Sequence, residues 1–119
     1  MTLGTQLAEH RGKFYFVGHR KYNVKHKKLY LGRGGCFDFE NLSVTLGQHW
    51  WAHSPESLAG SVVKHNNNLF SCSYFSGIHI KDGEVMLGYG INDVDCGFAK
   101  MPLREFIGLD AMANISARP

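Results

Sequence analysis

No apolar run in this chain approaches the roughly 18–20 residues of a membrane helix, so no membrane partner is expected. Its 119 residues include only 3 cysteines. Cys36, Cys72 and Cys96 are odd in number and share no C-x-x-C spacing, which excludes a disulfide framework and a zinc-finger pattern. The expected setting is reducing and cytoplasmic, with thiols left free. Met1–Arg11 lacks the basic start and apolar stretch of a signal peptide, in keeping with that expectation. A Gly-x-Ser-x-Gly elbow is missing, and no cysteine has a histidine and an acid arranged beside it in sequence. Gly32-Arg33-Gly34-Gly35 lacks the Lys-Ser/Thr of a phosphate loop. His49 and His53 stand four apart without a third ligand nearby, so neither a metal site nor a cofactor is expected.

What is present suffices for a folded core. Hydrophobic residues make up 44% of the chain and aromatics 13%, which argues against general disorder, and the length fits one domain or part of a larger one. The net charge of +3 is unevenly spread. Between His19 and Lys28 stand Arg20, Lys21, Lys25, Lys27, Lys28 and two histidines. Such a run suits phosphates, in nucleic acid or in a small ligand. It equally suits a solvated hairpin tip whose lysines keep an edge soluble. No recognition helix or zinc module accompanies it, so a basic nucleic-acid-binding β-domain is carried as the lesser alternative.

Period-2 alternation and turn residues predict an all-β chain. Strands are expected at Leu3–Glu9, Lys13–His19, Lys28–Arg33 and Leu42–Leu46, with the basic segment as a loop and a bulge at Gly34-Gly35. Gln48–Pro55 leaves the sheet, and Ser54–Leu58 is expected to open a short helical turn. Lys64–Asn68 reads as a loop. Leu69–Ile80 and Glu84–Gly90 flank an Asp-Gly turn, among the strongest short hairpin signals. Val94–Met101 follows as a strand, Leu103–Ile107 as a short helix, and 110–119 as a flexible tail.

The chain thus reads as two similar units, each strand, Gly turn, strand, loop, strand. Gly77–Ala99, with its Tyr-Gly-x-Asn-Asp ending at Asp93, resembles the closing blade of five-bladed β-propellers that act on sugars. In particular it looks like the mannoside phosphorylase and related glycosidase group. Leu3–Leu46, with its Gly-Lys-aromatic strand, resembles the preceding blade. The resemblance implies antiparallel four-stranded meanders resembling about two propeller blades, with a short C-terminal helix. Residues 1–54 would form one blade, 55–68 a connecting loop and 69–109 the closing blade. It further implies a segment of a carbohydrate-active, glycoside hydrolase- or phosphorylase-like protein. A pair of blades leaves two apolar faces uncovered, so further blades or self-association are the expected partners. The family's acidic catalytic residue has no counterpart here, so no catalytic residue is assigned. A non-enzymatic glycan-binding module is the alternative.

The implied ligand is a carbohydrate, with or without phosphate. Asp93, at a strand end by the motif match, would accept hydrogen bonds from ligand hydroxyls, with Tyr89 and Asn92 flanking it. Asn92-Asp93 has a second reading as a turn that caps its own backbone. Ser76 and His79 fall on the strand expected to be innermost. His19 and Arg20 occupy the place in the first unit that Tyr89-Gly90 occupies in the second, and Arg20 suits a phosphate or carboxylate. Trp50 and Trp51 are candidates for a stacking platform or for packing between blades.

Overall fold

The computed structural model describes residues 2–54, 68–106 and 108. Eight strands and one short helix follow each other along the chain. They are β1 (Thr2–Leu3), β2 (Ala8–His10), β3 (Lys13–Val24), β4 (Lys27–Asp38), β5 (Ser43–Leu46), β6 (Leu69–Lys81), β7 (Glu84–Ile91), β8 (Asp95–Pro102) and α1 (Leu103–Phe106). The protein is therefore all-β with a small C-terminal helix. Of the other expectations, positions 55–58 of the helical turn, 64–67 of the loop, Ile107 and the tail 110–119 lie outside the described residues.

Tight turns set the registers. Arg11-Gly12, Lys25-His26 and Asp82-Gly83 each close a two-residue hairpin with both residues at positive φ. This is the pattern of the type I′ turn, whose twist matches that of the strands it joins. Glycine takes up the left-handed conformation at Gly12 and Gly83 without penalty, whereas Lys25 and His26 carry a Cβ there and cost roughly 1 kcal/mol each. That hairpin corrects one expectation. The basic segment is not a loop, because β3 and β4 pair without a break from Lys13↔Asp38 to Val24↔Lys27. The same unbroken register carries Val17↔Gly34 and Phe16↔Gly35, so the paired glycines form no bulge against β3. Their missing side chains leave room instead for neighbouring groups. A Cβ on Gly35 would lie 2.5 Å from the Phe16 ring, and one on Gly34 2.8 Å from the Phe106 carbonyl.

The strand order is β1-β3-β4-β6-β7-β8, with β2 also on β3 and β5 also on β4. Neighbouring strands run antiparallel except β4 and β6, which pair in parallel through Lys28, Leu29 and Tyr30. This short parallel ladder joins the first five strands and the β6–β8 meander into one mixed sheet. A register shift between Phe75 and Gly77 places a bulge at Ser76. Such a bulge bends the strand. The core lies inside the curve, where Tyr15, Val17 and Cys36 meet Phe75, Ile78, Val85, Leu87 and Phe106. Burial there pushes the Tyr15 hydroxyl up to about 12, with the neighbouring Cys36 adding to the effect. The opposite face of the meander stays open: Phe98 is 85% exposed, and Met86 beside it 40%.

Candidate functional site

Where β6 leaves β4 to pair with β7, its backbone needs partners that no strand supplies. Asn92 provides them. Its Oδ1 accepts from the Cys72 N–H at 2.7 Å and from the Ser71 hydroxyl at 3.1 Å, and its own N–H donates to the Cys72 carbonyl at 2.9 Å. The residue is fully buried, and its Nδ2 has no hydrogen-bond partner among the described residues. Both Asn92 and Asp93 have positive φ, 53° and 61°, and the Val94 N–H closes their turn onto the Ile91 carbonyl at 3.0 Å. Behind the turn lies a polar chain. The His53 ring meets Ser71 Oγ at 3.1 Å and Ser54 Oγ at 3.0 Å, and the His53 N–H donates to Ser73 Oγ. The turn therefore points Asn92 inward and leaves Asp93 exposed.

Asp93 lines a cleft of about 260 Å³ together with Lys28, Tyr30, Asn68, Leu69, Cys72 and Tyr74. Tyr74 is 46% exposed although its ring lies against His19, with centroids 4.1 Å apart. His19 is buried on the core face of β3, where its Nε2 accepts the Phe75 N–H at 2.7 Å. Gly4 makes space for that ring, since a Cβ there would stand 2.1 Å from His19 Cε1. Lys28 holds its ammonium by donating to Asn23 Oδ1 at 2.8 Å. Among the described residues the ion pair is Lys100–Glu84, and neither Lys28 nor Asp93 has one. Two opposite charges thus line one cleft without pairing with each other. Cys72 contributes a neutral thiol, because burial, and then the Asp93 charge, push it up to about 11.

The expected site residues are dispersed. Asp93 is in the cleft, and Asn92 and His19 lie buried behind it. Tyr89 packs on Phe75 at 5.2 Å and lines a second, apolar cleft with Trp50, Trp51 and Met101. Arg20 is exposed on the opposite side of β3 from His19, with its guanidinium 5.3 Å from the Tyr22 ring. Ser76 is the exposed bulge residue, and His79 lies beside Met86 and Phe98 on the open face. Trp51 belongs to the core, against Phe75 and Phe106, and its backbone bridges Gly32; Arg33 lies over Trp50 at 4.9 Å. No helix brings His49 and His53 together, and no group of three metal-ligating side chains occurs among the described residues. Sequence reasoning missed Tyr74, although an aromatic out of phase with Phe75 on one strand is a usable sign of an exposed ring.

His19 carries a pH dependence. Burial lowers its pKa, so the folded protein resists a proton that the unfolded chain accepts below about 6.5. Stability is therefore full above that value and falls as pH drops toward the folded pKa, with a slope of at most about 1.4 kcal/mol per pH unit. Protonation also turns Nε2 into a donor and leaves the buried Phe75 N–H without its acceptor. Denaturant unfolding at pH 7.5, 6.5 and 5.5 should show this decline in the wild type and a flatter profile in His19→Gln. Equal slopes would remove His19 as its source.

No family model, curated protein or solved structure matches the chain.

Proposed function

We propose that this protein binds a carbohydrate in the cleft between Tyr74 and Asp93, as a β-sheet segment of a carbohydrate-active protein. The observation that carries the reading is a half-exposed tyrosine ring, backed by a buried histidine, beside an unpaired carboxylate and an unpaired ammonium. Sugars present apolar C–H faces edged by hydroxyls, so they favour an aromatic wall with hydrogen-bonding groups at its margin. Asp93 accepts from hydroxyls, the Lys28 ammonium donates, and the Tyr30 hydroxyl does either. The resemblance of Gly77–Ala99 to the closing blade of sugar-acting propellers supports the same ligand class. The bare face around Phe98 supports further β-sheet neighbours, supplied by additional blades or by a second copy. The cleft holds a single carboxylate among the described residues, and no acid–base pair is assigned.

Glycan-array screening followed by calorimetry on the best-binding oligosaccharide tests the reading. Asp93→Ala and Tyr74→Ala should each weaken binding about tenfold, the value of one charged hydrogen bond or one stacked ring. Each variant should cost no more than about 1 kcal/mol of stability, Asp93→Ala through alanine at φ 61° and Tyr74→Ala through lost packing on His19, so both stay folded for the comparison. Undiminished binding by both variants would refute the assignment. Release of a reducing sugar would distinguish an enzyme from a binding module.

A further inference from the structure

We infer that the sugar taken by this cleft is an acidic one, carrying a carboxylate or phosphate that Lys28 receives. The inference rests on the carbohydrate reading of the cleft and adds the charge of the ligand. Lys28 lies on the wall formed by β4, whereas Asp93 comes from the β7–β8 turn. The two remain unpaired, so each is available to a different part of one ligand. Asn23 fixes the Lys28 ammonium through one of its three N–H groups and leaves two to donate. Holding it in place reduces the ordering cost that a free lysine would bring to binding.

The surroundings favour an anion at that end. Lys28 stands next to the Lys25-His26 turn, and Lys21 on the paired strand shares its face of the sheet, whereas Lys27 and Arg20 alternate to the other face. No carboxylate forms an ion pair with any of these side chains among the described residues. The tip is therefore electropositive, and the field of several unpaired cations adds at the cleft mouth. Asp93 at the other end disfavours a second anionic group and suits neutral hydroxyls. A sugar with a single acidic substituent matches that polarity, with its hydroxyls at Asp93 and its apolar face on Tyr74. A long polyanion does not, because it would have to pass the Asp93 carboxylate. Carboxylate and phosphate share the chemistry that Lys28 reads, so the experiment separates them.

The test is an NMR titration of the whole chain at low salt with two matched series. These are glucose, glucuronate and glucose 6-phosphate, then mannose, mannuronate and mannose 6-phosphate. Inorganic phosphate alone completes the set. In at least one series an acidic member should bind about tenfold more tightly than its neutral parent, an advantage that shrinks with added salt. Lys28→Gln should bring each acidic sugar down to the affinity that the same variant shows for its neutral parent, while Lys28→Arg should retain most of the difference. The relative shifts for uronate and phosphate identify which anion the site takes. Equal binding of neutral and acidic sugars overturns this inference but leaves the carbohydrate reading standing. Inorganic phosphate binding as tightly as the sugar phosphates overturns it too, since only an anion patch would be needed. Failure of every sugar to bind overturns both.

Discussion

Replacing Asn92 by alanine should destabilise the protein by about 3–4 kcal/mol, read as a lower denaturant midpoint at unchanged slope. The side chain accepts from Cys72 N–H and Ser71 Oγ, and both donors are buried. A buried donor stripped of its acceptor costs roughly 1–3 kcal/mol, a loss that falls on the Cys72 N–H, since the Ser71 hydroxyl also meets the His53 ring. A Cβ at φ 53° adds strain that asparagine tolerates better than alanine does. Two further variants separate these causes. Asn92→Gly removes the strain but not the lost acceptor, so it should recover only about 1 kcal/mol of the deficit. Asn92→Asp keeps an oxygen for the Cys72 N–H but buries a carboxyl, whose pKa burial raises. The folded state then holds its proton more tightly than the unfolded chain, so this variant should gain stability relative to the wild type as pH falls toward about 4. If alanine costs less than about 1 kcal/mol, the turn does not pin β6, and Asn92 is free for another role.

The same residue shows what one sequence can disclose. Asn92-Asp93 was open to two readings, a ligand site or a backbone cap, and the structure gives the two neighbours different surroundings. Asn92 caps, but it caps β6 some twenty residues away rather than its own turn, and that partner emerges only once β6 and β7 pair. Asp93 sits in the cleft, where turn chemistry alone could place a carboxylate at a strand mouth. The hairpins at Arg11-Gly12 and Asp82-Gly83 were legible because glycine announces a positive φ. Lys25-His26 makes the same turn without that signal, so the strands on either side of it looked shorter than they are. The parallel pairing of β4 with β6 was not legible, since it depends on contacts across the connecting segment. Without that pairing, Lys28 and Tyr30 stay in the first half of the chain and Tyr74 in the second. The cleft exists only because the two halves meet. His19 follows the same logic: its burial needs the gap at Gly4 and the free N–H of Phe75, neither adjacent to it in sequence.

Gly32→Ala should be comparably damaging, for the opposite reason. Nothing is removed; a methyl group is added where the core has no room. A Cβ at Gly32 would stand 2.3 Å from Phe75 Cδ2, 2.4 Å from its Cε2 and 3.3 Å from Val17 Cγ1. Phe75 is 4% exposed and packs against Trp51 and Tyr89 as well as His19, so its ring has nowhere to turn without disturbing all three. The backbone at Gly32 is equally fixed, because its N–H and carbonyl both bond to Trp51 on one side while β3 pairs with it on the other. Overpacking of a core typically costs about 1–3 kcal/mol, and these constraints place the loss at the upper end, about 3 kcal/mol. Truncating the ring supplies the diagnostic. Phe75→Leu alone opens a cavity and should also destabilise. In the Gly32→Ala, Phe75→Leu pair the new methyl fills part of the space the ring vacates. The double variant should therefore be more stable than the sum of the single losses by at least about 1 kcal/mol, a coupling that residues in contact can show. Additive losses would mean that Gly32 yields elsewhere. Because Phe75 also donates its N–H to His19, whose ring backs Tyr74, relief in the double variant should restore the Tyr74 wall of the cleft along with stability.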